Sequence, residues 1–278
     1  MIGHDYIVTS ISMKGEIVAK MPIYIGSGQS ITRPAAVDME FIRLSTVEGK
    51  IFPYIPGSSI KGVLRSTCER IIKSIKNPQI RACNIPSNSC IDNDKEKIIK
   101  ESLLKEPEVA RKMLEENLCE VCKIFGNQVY SSHMLINDAI GVQWSFGIRP
   151  GIAINREYGS VEHGPFFVEY VAPGSVFSFE ILARNLEPYQ LGLIAAAIQE
   201  INKGRIKVGG LKSRGFGTIE IIFHDINYET YDSRYSIELP KSPPPDASMD
   251  EFKTFTERVL EILISRWESY VKERKQTT

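Results

Sequence analysis

The stretch Tyr54–Ile72, YIPGSSIKGVLRSTCERII, changes its hydrophobic period within a few residues. Up to Pro56 it closes a segment, EFIRLSTVEGKIFPYIP, that reads as a β-hairpin with Glu48-Gly49 at the turn. Pro56-Gly57-Ser58-Ser59 then opens a helix, with Ser58 or Ser59 as the N-cap. Ile60, Val63, Leu64, Thr67, Cys68, Ile71 and Ile72 recur at three- and four-residue spacing and form one apolar face. Lys61 and Arg65 fall on the opposite face, one turn apart, so the helix start and its basic side can meet an anion.

Working outward gives the order of elements. Tyr6–Lys20 is rich in β-branched residues and predicts a long strand or a hairpin. A polar loop, IGSGQSITRPAAVD, follows and ends at Asp38. MLINDA and VFSFEILARN predict strands, separated by a Gly- and charge-rich segment, Gly147–Pro173, that predicts a projecting hairpin or loop. Glu187–Asn202 predicts a second helix, with Leu191, Ile194, Ala195, Ile198 and Ile201 on one side. Arg205–Phe223 predicts a last strand interrupted by glycines. The order strand, helix, strand, strand, helix, strand is that of a ferredoxin-like βαββαβ core of the α+β class, the layout shared by RNA-recognition (RRM-like) domains. After the linker KSPPPDAS, Ser248 and Glu251 form a capping box, and Phe252, Phe255, Val259, Leu263, Trp267 and Tyr270 form one stripe of a final helix. That stripe is expected to pack on the helix's own domain.

The bulk properties exclude some classes. Lys+Arg and Asp+Glu both total 34 in 278 residues, which argues against a purely electrostatic nucleic-acid binder but not against a local basic face. No apolar run approaches the ~18 residues of a membrane span, and no export signal opens the chain, so a cytoplasmic protein is expected. Five cysteines without an export signal do not suggest a disulfide framework.

Residues 77–125 differ in character and read as an insertion, with a charged helical stretch from about Lys95 to Asn117. Cys83 and Cys90 lie at one end of it and Cys119 and Cys122 at the other. C-x₂-C is a common structural zinc half-site, whereas C-x₆-C is looser than usual. Bound metal would supply folding energy to a segment with little apolar content. The alternative is four reduced, unligated thiols. Cys68, on the apolar face of the first helix, is expected to be core.

The segment Val208–Gly217, VGGLKSRGFG, looks like a phosphate loop but fails both nucleotide fingerprints. It lacks the GK[ST] of a P-loop and the spacing of G-x-G-x-x-G. What remains is a basic loop in which Lys212 and Arg214 can reach phosphates, while glycines permit positive φ and exposed N–H groups. The competing reading is a glycine bulge that merely bends a strand. Phe216 is expected in the core.

YIPGSSIKGVLRS and VGGLKSRGFG together resemble the RAMP superfamily, the repeat-associated proteins of CRISPR systems. The ordered set IGSG, AAVD, IPGSSIKG, CKIFGNQ, SSHMLINDA, VEYVAPGS and GGLKSRGFG more narrowly resembles the repeating backbone subunit of type III (Csm/Cmr) RNA-guided effector complexes, over residues 6 to 225. The resemblance implies an RRM-like domain over residues 1–240, with a lid at about 77–125 and a thumb at about 147–173, followed by a linker and helix over 241–278. It implies that copies of the chain, with other effector subunits, stack along a CRISPR RNA and cut paired target RNA. The cutting residue would be Asp38, aided by a divalent cation, Mg or Mn. Ser58, Ser59, Lys61 and Arg65 would grip the guide, with Gly209, Gly210, Lys212, Arg214 and Gly215. His133 stands where the family often has arginine. A carboxylate can take the 2′-OH proton of RNA or hold a cation against the reacting phosphate, so this chemistry suits Asp38. A non-cutting structural subunit of the same complex is the alternative. A CRISPR-RNA-processing nuclease fits less well, because those enzymes generally have two such domains and often a catalytic histidine.

Overall fold

The computed structural model describes residues 3–26, 37–85 and 89–276. Much of the IGSG and AAVD motifs, residues 27–36, therefore lies outside the described residues, as do three residues between Cys83 and Cys90.

The elements follow in chain order: β1 Thr9–Ala19, β2 Arg43–Ser45, β3 Ile51–Ile55, α1 Gly57–Ile75, α2 Asn93–Lys105, α3 Pro107–Asn117, α4 Glu120–Phe125, β4 Met134–Ile136, β5 Ala139–Gln143, β6 Phe146–Ile154, β7 Val161–Val171, β8 Val176–Arg184, α5 Pro188–Asn202, β9 Ile219–Thr230 and α6 Met249–Gln276. The main sheet is antiparallel and runs β2-β3-β5-β8-β1-β9, with β4 pairing β8 beside β5. Without the β2–β3 edge, β9-β1-β8-β4/β5 is a ferredoxin-like order, in which β1 and its helix are followed by a hairpin, a second helix and an outer strand.

Alternation fixes the two faces of this sheet. Ile11, Met13, Ile17 and Ala19 of β1 are buried, as are Phe177, Phe179, Ile181 and Ala183 of β8. Helices α1, α5 and α6 cover that face, with α6 lying across both α5 and β9. Burying each of the Ile, Met and Phe side chains contributes about 1.5–3 kcal/mol. The stripe Phe252, Phe255, Val259, Leu263 and Trp267 is buried within the chain's own core. The capping box forms: Ser248 N donates to Glu251 Oε2 at 2.7 Å, and Glu251 N to Ser248 Oγ at 3.3 Å.

Three expectations shift in detail. The charged stretch in the insertion is two helices, because Pro107 excludes α geometry at Glu106, and Pro107 itself starts α3. The N-cap of α1 is Pro56, so Ser58 and Ser59 already lie in the first helical turn. The glycine segment interrupts no strand; β9 begins only at Ile219, after Leu211, Gly215 and Gly217 have taken positive φ. Cys68 and Phe216 are buried, as expected.

One end of the sheet gathers the segment of Asp38, the glycine loop and the projecting hairpin. There β1 ends, β8 and β9 begin, and the two-stranded hairpin β6–β7 rises. Ile23 pairs with Val171, Met39 bridges Val168, and Gly217 N donates to Pro22 O at 2.8 Å.

Candidate functional site

The central strands offer no aromatic platform on the open face of the sheet. β1 presents Ser10, Ser12, Lys14 and Glu16 there, and β8 presents Ser178, Glu180, Leu182 and Arg184. Base stacking of the kind seen in RNA-recognition domains therefore has nothing to use on these strands. The exposed cations Lys212 and Arg214 lie instead in the loop at the sheet's end.

Asp38 lies against the middle of hairpin β6–β7, opposite Phe167, which pairs with Pro150. Asp38 N donates to Phe167 O at 3.1 Å, and Phe167 N donates back to Asp38 Oδ2 at 2.6 Å. The residue remains exposed. The segment behind it is held by Glu169, a buried carboxylate on the same strand. Phe41 N donates to Glu169 Oε2 at 3.0 Å, and the Arg43 guanidinium pairs with Glu169 Oε1. Arg43 also lies over the Phe146 ring, 4.5 Å from its centre. The loop that carries Asp38 is thus fastened to both hairpin strands.

The glycine segment is anchored beside the same hairpin. Val208 N donates to Gly217 O at 2.8 Å, closing the loop, and Gly210 N donates to Tyr24 O at 2.8 Å. Gly209 has φ +83°, and a Cβ there would lie 2.2 Å from Tyr24 O, so only glycine allows this approach. Lys212–Arg214 forms a 3₁₀ turn with all three residues exposed. Between this turn and the hairpin lies a groove of about 440 Å³, lined by Arg149, Phe166, Val168, Leu211, Arg214 and Phe216. Arg149 Nη1 donates to Arg214 O at 3.4 Å, and its guanidinium lies 5.5 Å from the centre of the Phe216 ring. Arg149 thus adds a second cation to the groove wall, beside Arg214. It escaped sequence reading because it lies in a hairpin far from VGGLKSRGFG.

The α1 start is held from outside. Pro56 has no side chain that can cap, and Gly57 N instead donates to Asp138 Oδ1 at 2.7 Å. Asp138 is the last residue of SSHMLIND, and a helix opening on Pro-Gly is the signal that such an external acceptor is needed. Ser58 is exposed and Ser59 half-buried. Lys61 and Arg65 are turned to the protein. Lys61 Nζ donates to Met134 O at 3.2 Å, and burial, with Arg65 nearby, lowers its pKa from the usual lysine value. Arg65 uses Nε for Glu69, Nη1 for Gly126 O and Nη2 for Cys122 Sγ. These facts separate Lys61 and Arg65 from the exposed cations Lys212 and Arg214.

The insertion brings four cysteines together. The sulfurs of Cys83, Cys90, Cys119 and Cys122 all lie within 4.8 Å of one another. Cys83 Sγ is 3.4 Å from Cys122 Sγ and 3.6 Å from Cys119 Sγ. A tetrahedron of Zn–S bonds of about 2.3 Å places its sulfurs about 3.8 Å apart, so this donor set fits zinc or a similarly soft ion. Cys119 caps α4, accepting from Cys122 N at 3.4 Å. Hydrogen bonds from the Cys122 and Cys90 thiols hold Cys119 well below the ordinary thiol range, so one thiolate is favoured before any ion arrives. No carboxylate or histidine joins Asp38 in a comparable cluster among the described residues.

A family model of the RAMP superfamily matches residues 16–220, from within β1 to the second residue of β9. The chain belongs to the RAMP superfamily. Every segment at the sheet's end described above, from Pro22 to Gly217, falls within that match. Membership makes this RAMP protein a CRISPR-associated RNA-binding subunit, in a family that includes some ribonucleases. A search of curated proteins gave no match. Among the described residues, no helix of this RAMP protein is long and apolar enough to cross a membrane.

Proposed function

We propose that the chain is a backbone subunit of a type III CRISPR effector complex, with hairpin β6–β7 as thumb and residues 77–125 as lid. In this reading copies of the chain and other effector subunits line a CRISPR RNA. Ser58, Ser59 and Lys61 at α1, the lysine through the donors left over from its bond to Met134 O, and Gly209, Gly210, Lys212, Arg214 and Gly215 in the glycine loop, hold its backbone. Asp38 then acts on the paired target RNA. The observation that carries this reading is the exposed Asp38 carboxylate fixed to the middle of the hairpin through Phe167. A group fixed relative to a projecting hairpin meets each substrate segment in one geometry, which is what positioning requires.

The step itself is transesterification. The 2′-oxygen of the target attacks the adjacent phosphorus and loses its proton to Asp38. The bond to the 5′-oxygen breaks, and that oxygen takes a proton from solvent, leaving a cyclic phosphate and a 5′-hydroxyl. A divalent cation, Mg or Mn, would neutralise charge on the reacting phosphate. Asp38 alone is not a complete ion site, so the remaining ligands would be substrate phosphates and water. The cysteine cluster would hold a structural zinc.

The second reading is a subunit with the same RNA grip and no cutting role. The Asp38–Phe167 bond supports it too, since a carboxylate accepting a backbone amide can be purely structural. Assembly of the complex with guide RNA, complementary target and divalent cation separates the two. Cleavage that vanishes with Asp38→Ala while guide loading persists supports the first; undiminished cleavage leaves only the second.

A further inference from the structure

Arg65 occupies an unusual position for a residue expected to touch RNA. Its side chain is only 22% exposed, and all three of its nitrogen groups are engaged within the protein. Nε meets Glu69 Oε1 at 3.2 Å, one turn on along α1. Nη1 donates to Gly126 O at 3.0 Å, and Nη2 to Cys122 Sγ at 3.4 Å. Cys122 lies in the first turn of α4 and Gly126 is its C-cap, so one guanidinium spans that short helix from end to end.

Charge makes the arrangement meaningful. A dication held by four thiolates carries a net charge of about −2, and leaving that charge unpaired in a half-buried site is costly. Arg81 and Lys123, two residues and one residue from Cys83 and Cys122 in sequence, have other partners, Arg81 with Glu116 O and Lys123 with Glu120. Only the planar fork of arginine can serve a sulfur and a carbonyl on separate nitrogens while keeping its charge.

We propose that Arg65 is the counter-charge and outer support of a metal-loaded Cys83–Cys90–Cys119–Cys122 cluster, fastening α4 and the insertion to α1, and that it does not contact RNA. The proposal rests on the cluster holding a metal. Outer partners of metal ligands typically set affinity by about 10–100-fold. Through this bond, metal loading also fixes the helix whose first turn carries Ser58 and Ser59.

The test uses the full chain loaded with zinc, and separately with cobalt, as native protein and as Arg65→Met and Arg65→Lys. Zinc release to a chromogenic chelator should be about 10–100-fold easier in Arg65→Met, with part of the loss recovered in Arg65→Lys. The sulfur-to-cobalt charge-transfer band should shift in Arg65→Met, because the Cys122 sulfur loses its hydrogen bond. Binding of single-stranded RNA by zinc-loaded Arg65 variants should match the native protein, whereas Lys212→Ala and Arg214→Ala weaken it. Should Arg65→Met not fold, Arg65→Lys still decides: weakened RNA binding with native zinc retention overturns the proposal. Native protein that takes up no zinc removes the metal reading itself. Native protein that loads zinc while both variants keep native release and spectrum overturns only the role given to Arg65.

Discussion

Phe167 N donates to Asp38 Oδ2 at 2.6 Å, joining a loop between β1 and β2 to a hairpin 129 residues further along the chain. The bond fixes where the carboxylate stands, and its charge can be separated from its position. Asparagine retains an oxygen that can accept from Phe167, whereas alanine loses both bond and charge. Under the proposed function, Asp38→Asn and Asp38→Ala should each lower single-turnover target cleavage by about 10²-fold or more. Equal loss in both variants assigns the effect to the charge. Retention of activity by Asp38→Asn would instead show that only the anchoring bond matters.

Glu169 satisfies a buried amide and a half-buried guanidinium at once, through Phe41 N and Arg43. Glu169→Ala leaves both without their partner and should cost about 2–3 kcal/mol in denaturant unfolding. Glu169→Gln keeps an acceptor for Phe41 N and should cost less. A Glu169→Ala protein as stable as the native one would mean that the segment ahead of β2 is not held by this residue.

Two glycines of the same loop should respond differently to alanine. Both have positive φ, +83° at Gly209 and +88° at Gly215, but only Gly209 has a neighbour, Tyr24 O at 2.2 Å from a built Cβ. Gly215→Ala should cost about 1 kcal/mol, the ordinary penalty of left-handed backbone. Gly209→Ala adds a backbone collision and should cost clearly more, or displace the Pro22–Gly26 segment. Thermal unfolding of the two variants side by side measures the difference.

His133 is buried, its ring stacked on His4 at 3.9 Å and its Nε2 bonded to the Tyr130 hydroxyl. Burial first, and His4 second, lower its pKa from 6.5 to about 4, against a weaker raising effect from its bond with the Arg184 backbone. The unfolded chain therefore binds the proton more readily than the folded one. The stability this residue contributes is fully present above pH 6.5 and is lost as pH falls towards 4, on the order of 3 kcal/mol in all. His133→Gln should flatten the pH dependence of unfolding within that window. An unchanged slope would show that other groups cause it.

Much of this architecture was legible in the sequence because it is written locally. The apolar faces of α1, α5 and α6 repeat at helical spacing, the Ser248–Glu251 box spans three residues, and Cys119-x₂-Cys122 declares a metal half-site. Alternation in β1 and β8 fixed which side would meet the helices. The family motifs pointed to the loops around Asp38 and Lys212. Spacing alone left the cysteine cluster undecided, because Cys83-x₆-Cys90 is a loose half-site.

Tertiary structure decided what spacing cannot encode, namely which side chains meet across long stretches of chain. Asp138 serves the start of α1 from the far side of the insertion, and Glu169 holds Arg43 across the whole length of the hairpin and more. Helical periodicity placed Arg65 opposite the apolar face of α1, which in sequence reads as solvent-facing and basic. The insertion folds back over that side, and the same cation points at sulfur. A local pattern sets a residue's direction from its own element; only the packed chain determines what stands in that direction.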